Sequence, residues 1–171
     1  MRNNSFLFHL LSIIVLPGTV AGVIPYFLNF YLTDLQIYDD HILLQGSGIG
    51  FMILGVILFL TSVFLFGSKG KGTLAPWNPP SRLVVQGPYK YVRNPMITGV
   101  LSFLLGEALF LNSIPILIWA MLFFVINTVY FEFIEEPKLE RRFGNSYVKY
   151  KHAVPRWIPN TKAYKPEKND R

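Results

Sequence analysis

The sequence predicts an all-α integral membrane protein with about four transmembrane helices, the last two of which form a helical hairpin. Only 15% of its 171 residues are charged, whereas soluble domains carry about 25%. The charges also avoid four apolar runs, residues 6–32, 42–66, 95–111 and 114–134, which contain no Lys or Arg and only two acids, Glu107 and Glu132. A helix needs roughly 20 apolar residues to cross the hydrocarbon of a bilayer. The length allows a single domain, residues 1–171.

The first run has two possible interpretations. Arg2 and the apolar stretch 6–16 are typical of a signal peptide. However, the apolar sequence continues to Leu32, beyond the length of a signal-peptide core. Pro17 and Pro25 would kink a helix here, which neighbouring helices in a membrane accommodate. We therefore favour a retained, bent span.

The third run is short for a span, so we expect it to be tilted, to thin the bilayer, or to extend past Pro95 or Asn112. Asn112 and Ser113 are good N-cap candidates for the fourth run, and Pro115 suits a first helical turn. So short a connection makes the third and fourth spans antiparallel neighbours.

The distribution of charge predicts the topology. Residues 33–41 contain three Asp and no base, residues 67–94 contain five bases and no acid, and the tail after Glu135 contains ten of the sixteen basic residues. Basic loops stay in the cytoplasm. We therefore expect segments 67–94 and 135–171, and both termini, to be cytoplasmic, in a cell membrane such as the bacterial inner membrane. The tail from Asn160 is polar and is expected to be loose.

Several functions are disfavoured by composition. The net charge of +6 is explained by topology, so we expect no nucleic-acid partner. The absence of cysteine excludes a thiolate nucleophile and thiolate metal ligands. His9, His41 and His152 lack metal-ligand spacing, so no metal site is predicted.

Chemistry is predicted for two segments, residues 72–95 and 135–159, which follow the second and fourth runs. Because the last two spans are antiparallel, Arg93 and Asn94 should lie near Glu135 and Glu136. Free N–H groups at a helix start beside Arg93 suit a carboxylate or another anion. The alternative is that Arg93 reaches lipid headgroups and Asn94 only caps the helix.

Three carboxylates share one helix face in the second segment, because Glu132, Glu135 and Glu136 are spaced i, i+3, i+4. Their mutual repulsion predicts a cationic partner: Arg93, Arg156 or a bound cation. A surface network with the basic tail is the alternative.

A short amphipathic helix should follow these carboxylates. Pro137 should break the preceding helix or start a new one. Leu139 and Phe143 should form the buried edge of this short helix, and Gly144 should end it.

The motifs Gly87–Gly99 (GPYKYVRNPMITG), 135–150 (EEPKLERRFGNSYVKY) and 154–159 (VPRWIP) resemble the isoprenylcysteine carboxyl methyltransferase-like family, which is related to the phospholipid methyltransferases. The resemblance covers residues 72–159 and implies a methyltransferase that uses S-adenosylmethionine in a cytoplasmic pocket at the end of the hairpin. It also implies a membrane-embedded or lipidated acceptor, methylated on a carboxylate oxygen or a lipid amine.

The resemblance also implies the site residues. The motif positions implied to bind the cofactor are Gly87, Tyr89, Val92, Asn94, Pro95, Gly99, Glu135 and Glu136. Arg93 suits the cofactor carboxylate, and Glu136 is the candidate base for an amine acceptor. Tyr89, Tyr91, Tyr147 or Trp157 would cover the adenine or the sulfonium. Eukaryotic carboxyl methyltransferases of this family have His where this chain has Asn94, which cannot titrate, so a proton-transfer role at that position is in doubt.

Two other functions compete with this one. Glu107, about 18 Å along a helix from Pro95, would be the proton-coupled site of a small four-span transporter, or a structural residue near the far interface. Alternatively, the chain is a non-catalytic relative that binds lipid or a partner. The long segments outside the apolar runs argue against the transporter.

Overall fold

The computed structural model describes residues 15, 17–32, 35, 42–69 and 83–166, and these contain helices and no strand. A π-helical turn at Thr19–Val23 leads into α1 (Ile24–Tyr31). Then follow α2 (Ile42–Lys69), a 3-10 turn (Gly87–Lys90), α3 (Pro95–Phe110), α4 (Ile114–Tyr130), a second π-helical turn (Phe131–Glu135), α5 (Glu136–Phe143) and α6 (Asn145–Ala153). The predicted all-α class is confirmed.

Two helical stretches, Ile42–Ser68 and Ile114–Phe143, are long and apolar enough to cross a membrane. A single helix covers the predicted second run and continues three residues past position 66. The third helix is short, as expected, with 16 residues from Pro95 to Phe110. The first run is described only in part, and its helix ends at Tyr31. Most of the acidic stretch 33–41, and all of residues 70–82, lie outside the described residues.

Glycine contacts hold α2 against α3. A methyl group at Gly99 would come within 2.8 Å of the carbonyl oxygen of Gly55, and one at Gly106 within 2.5 Å of that of Gly48. The two pairs lie one heptad apart on each helix and in reverse order, so the helices are antiparallel. The hydroxyl of Ser102 also donates to the carbonyl of Phe51 at 2.8 Å. Small residues allow this close backbone approach, which is typical of membrane helix pairs.

The predicted hairpin between α3 and α4 is confirmed. Its tight connection includes Asn112, which has a positive φ of 49°. Ser113 occupies the N-cap position and Pro115 the first turn, as predicted, although the Ser113 side chain makes no capping hydrogen bond in the described part of the chain. Between the helices lies a cluster of Val100, Leu104 and Ala120.

The continuous helical path from α4 into α5 has a local cause. Pro137 lies in the first turn of α5, as one of the two expected alternatives. Proline cannot donate to the carbonyl four residues back. The π-helical turn at Phe131–Glu135 absorbs this defect, and the N–H of Glu136 donates to the carbonyl of Phe131. As a result, the helical path runs on to Phe143, where Gly144 (φ 55°) ends it as predicted.

The expectation of a loose tail from Asn160 is wrong for its described part. The N–H of Asn160 donates to the carbonyl of Tyr91 at 2.8 Å, and the N–H of Tyr164 donates to that of Lys90 at 3.0 Å. The Tyr164 ring lies against Tyr150, with centroids 5.7 Å apart. Backbone hydrogen bonds therefore tie this polar segment to the residues that precede α3.

Candidate functional site

Three segments of the chain meet at the end of the hairpin where α3 begins and α4 ends, which we call the open end. The first is the stretch Tyr89–Pro95, the second is the start of α5, and the third runs from α6 to Trp157. The N–H of Arg93 donates to the carbonyl of Pro155 at 2.9 Å, which joins the first segment to the third. The predicted closeness of Arg93 and Glu136 is confirmed.

Glu136 is the centre of an ion-pair cluster, and only 2% of its side chain is exposed. Its Oε1 accepts from Arg93 Nη1 at 2.7 Å and from Arg156 Nε at 2.8 Å. Its Oε2 lies 3.0 Å from Lys151 Nζ. A buried carboxylate is tolerated only when it is paired. The expected cationic partner therefore exists, and both predicted arginines supply it.

A second layer of carboxylates surrounds these cations. Arg156 Nη1 lies 3.1 Å from Glu132 Oε2, and Lys151 Nζ lies 2.8 Å from Glu140 Oε1. Hydrogen bonds to Glu140 and to Glu136 raise the pKa of Lys151, so its ammonium is the stable form. Three carboxylates and three cations balance in charge. The cluster thus holds the two arginine side chains in fixed positions at the open end.

Buried tyrosine side chains pack next to the ion-pair cluster. The hydroxyl of Tyr150 donates to the carbonyl of Tyr89 at 2.6 Å, and burial raises the pKa of both phenols. Burial also raises the pKa of Tyr147, an effect that the nearby Arg93 guanidinium opposes. Leu139 and Phe143 pack against the cluster of Tyr147 and Tyr150, which confirms the predicted buried edge of α5. Burial therefore favours the neutral form of all three phenols.

Buried donors at the open end have no acceptor. Arg93 Nε, Asn94 Nδ2 and Trp157 Nε1 are buried without a hydrogen-bond partner among the described residues. The alternative in which Asn94 only caps α3 is not supported, since Asn94 occupies the N-cap position but its side chain makes no capping bond there among the described residues. Its backbone carbonyl instead accepts from both the N–H and the hydroxyl of Thr98. Unsatisfied buried donors are costly, so this group of N–H bonds suits an acceptor-rich ligand.

The other predicted site residues have different surroundings. Gly87 adopts a φ of 55° in the predicted tight turn and lies against Leu65, while Val92 and Pro95 are buried. Gly99 lies against α2 and allows the two backbones to approach. Glu135 is half-buried and accepts from the Tyr130 hydroxyl at 3.3 Å. The motif thus combines residues with unpartnered polar atoms, among the described part of the chain, and residues that shape the turn and the helix contact.

The sequence profile of the phospholipid methyltransferase family matches residues 44–146, which is more than half of the chain. The chain belongs to the phospholipid methyltransferase family. The match extends from α2 into α6 and includes Arg93, Asn94 and Glu136. It ends before Lys151, Arg156 and Trp157, which complete the open end in the structure.

The chain is similar to a curated protein, the protein-S-isoprenylcysteine O-methyltransferase of Schizosaccharomyces pombe. It is 31% identical over 119 residues, which are 67% of this chain and 49% of the relative. The chain therefore spans about half the length of this relative. No solved structure matches the chain. The family and the two long apolar helices indicate a membrane protein.

Membership of a methyltransferase family implies S-adenosylmethionine as the methyl donor. The residues at the open end fit this molecule. Its carboxylate is an acceptor for N–H donors such as Arg93 Nε and Asn94 Nδ2, which lie at the start of α3, where a helix favours anions. The buried Trp157 Nε1 adds a third donor nearby.

Sequence reasoning missed two contributors to this site. Lys151 and Glu140 lie in a segment rich in charge, where nothing in the sequence distinguishes Lys151 as a lysine that reaches Glu136. For Glu140 the sequence contains one indication, because this residue follows Glu136 by one helical turn and lies on the same face of α5.

Proposed function

We propose that this protein is an S-adenosylmethionine-dependent methyltransferase that acts on a membrane-embedded or lipidated acceptor. The observation that carries the proposal is the group of buried, unpartnered donors, Arg93 Nε and Asn94 Nδ2, at an end of the hairpin that the family match covers. The cofactor, when bound, supplies an electrophilic methyl group on a sulfonium. The chain supplies binding, orientation and exclusion of water, which account for most of the acceleration of such a displacement.

Arg93 and Asn94 bind the cofactor carboxylate in this proposal. Arg93 is fixed by Glu136 and by its backbone bond to Pro155, so little side-chain entropy is lost when a ligand binds. Glu135 is half-buried at the same end and is the proposed partner of the cofactor ammonium or ribose hydroxyls. Trp157, which packs on Phe124 and Phe131, is the proposed cover for the adenine or the sulfonium.

Glu136 has a different role from the base suggested by its sequence position. Two guanidinium groups and one ammonium surround its carboxylate, and each of them favours the ionised form and occupies its oxygens. A base must accept a proton, so we propose that Glu136 positions Arg93 and Arg156 instead. This favours a carboxylate acceptor, which needs no base, over a lipid amine, which must first lose a proton.

The proposed arrangement in the membrane has four spans, with both termini and the open end on the cytoplasmic side of a cell membrane such as the bacterial inner membrane. The charge pattern of the loops supports it. Membership of a methyltransferase family argues against the four-span transporter. Glu107 lies one turn before the α3–α4 connection, at the far end of the hairpin from Arg93.

Methyl transfer from radiolabelled S-adenosylmethionine tests the function, with purified protein in lipid nanodiscs. The acceptors are a prenylated cysteine with a free carboxylate and a phospholipid with a primary amine. We expect base-labile label, as in a methyl ester, on the first acceptor. Base-stable label on the phospholipid would assign the reaction to the amine, and label on neither acceptor, with cofactor binding intact, would favour the non-catalytic relative.

A further inference from the structure

The segment between α6 and the tail, residues 155–159, approaches α4 closely. We call it the PRWIP turn, from its sequence Pro155-Arg-Trp-Ile-Pro159. The centroid of the Trp157 ring lies 5.3 Å from that of Phe124 and 6.0 Å from that of Phe131. These two phenylalanines are seven residues apart and therefore lie on one face of the helix. The turn is thus packed along the side of α4.

The position of that contact along the helix gives its depth. Phe124 follows Ile114 by ten residues, or about 15 Å, and Phe131 follows it by about 26 Å, at 1.5 Å per residue. The hydrocarbon of a bilayer is about 30 Å thick. If α4 enters the hydrocarbon near its first residue, Phe124 lies at the middle of the membrane and Phe131 lies in the half that is nearer to the open end.

The apolar side chains of the PRWIP turn are exposed, whereas its charged side chain is paired. Ile158 is 79% exposed, and it is flanked by the exposed Pro159 and by Trp157. The charged member, Arg156, is directed away from this face and bonds to Glu132 and Glu136. An exposed Ile beside a Trp is unremarkable in water when isolated. Next to α4 at membrane depth, its natural surroundings are lipid chains.

The backbone of the turn is held in place at both ends. Two of its five residues are prolines, which have no N–H. On either side of the exposed apolar residues, the carbonyl of Pro155 accepts from Arg93 and the N–H of Asn160 donates to Tyr91. The turn is thereby anchored at both ends to the segment that precedes α3.

We propose that the PRWIP turn lies at the interface of the bilayer and places the Ile158 side chain in contact with lipid hydrocarbon, beside the Arg93–Glu136 cluster. The surface is a membrane-contacting wall of the open end, and its partner is the acyl-chain region of the bilayer. The packing of the turn on α4 and the exposure of its side chains do not depend on methyl transfer.

Depth measurement with single cysteines tests this directly, because the chain has no native cysteine. Ile158→Cys carries an environment-sensitive fluorophore in vesicles of phosphatidylcholine and phosphatidylglycerol. Ile126→Cys, an exposed apolar site on α4, is the lipid-facing control. Arg141→Cys is the aqueous control, since Arg141 is exposed on α5 and lies about 40 Å from Ile114 along the same path. Pro159→Cys probes the same turn should the Ile158 variant fail to fold.

We expect spin labels attached to the lipid chains to quench the fluorescence at position 158 to the same extent as at position 126. Iodide in the aqueous phase should have little effect on the fluorescence at position 158. Quenching by iodide that matches the Arg141 control, with no quenching by the lipid-borne label, would overturn the proposal. So would a Pro159 probe in folded protein that behaves like the Arg141 control.

Discussion

Replacement of Glu136 by glutamine removes the charge that three cations share while keeping the size of the side chain. The carboxylate is 2% exposed and lies 2.7–3.0 Å from Arg93, Arg156 and Lys151. Breaking a buried ion pair by removing one partner costs about 3–5 kcal/mol, because the remaining charges stay desolvated without compensation. We expect the free energy of unfolding of Glu136→Gln to fall by about that amount.

A matched control is available one helical turn away. Glu140 also bonds to Lys151, at 2.8 Å, but its side chain is 38% exposed and that of Lys151 is 35% exposed. Exposed pairs contribute about 0–1 kcal/mol, so Glu140→Gln should change stability by less than about 1 kcal/mol. The assay is reversible unfolding in mixed micelles, followed by helical circular dichroism. Equal, small changes for both variants would refute the view that Glu136 organises the open end.

Three further predictions concern other parts of the chain. Asn94→Ala should weaken S-adenosylmethionine binding by roughly 10- to 150-fold in calorimetry, because a hydrogen bond to a charged ligand contributes about 1.5–3 kcal/mol. It should leave the melting temperature unchanged, because the side chain makes no capping bond. A lower melting temperature with intact affinity would contradict this prediction. Gly99→Ala should lower the free energy of unfolding by about 1–3 kcal/mol through overpacking against α2. Gly50→Ala should not lower it, because no described atom lies within 4 Å of a methyl group added there. Equal effects of the two variants would contradict the glycine contacts. A reporter fused after Arg171 should read as cytoplasmic, and an external signal would contradict the proposed topology.

The open end was largely predictable because covalent connection limits geometry. A two-residue link between apolar runs forces an antiparallel hairpin, and this alone places Arg93 near Glu136. The i, i+3, i+4 spacing of the glutamates then predicts a cationic partner without knowledge of which base supplies it. Arg156 was named among the candidates, whereas Lys151 was not distinguished from the other basic residues of the tail.

Contacts that the chain connections do not impose were not predictable. Each of the two helices has glycines seven residues apart, at Gly48 and Gly55 and at Gly99 and Gly106. Glycine is common in membrane helices, however, and its presence does not indicate which helix packs against it. The tail was misjudged because its composition is polar, while its order comes from backbone bonds to Lys90 and Tyr91. Residue type left open whether Asn94 caps α3 or binds a ligand, and only three-dimensional geometry shows that the cap is not made.

The claim that the open end binds the methyl donor through its carboxylate has a direct test in calorimetry. Purified protein in detergent is titrated with S-adenosylmethionine and with decarboxylated S-adenosylmethionine, which lacks only the carboxylate. We predict binding of the first ligand and at least roughly tenfold weaker binding of the second, as expected for loss of one bond to a charged group. Equal affinity for the two ligands would contradict the assignment of Arg93 and Asn94, and absence of binding to either would contradict the proposed function itself.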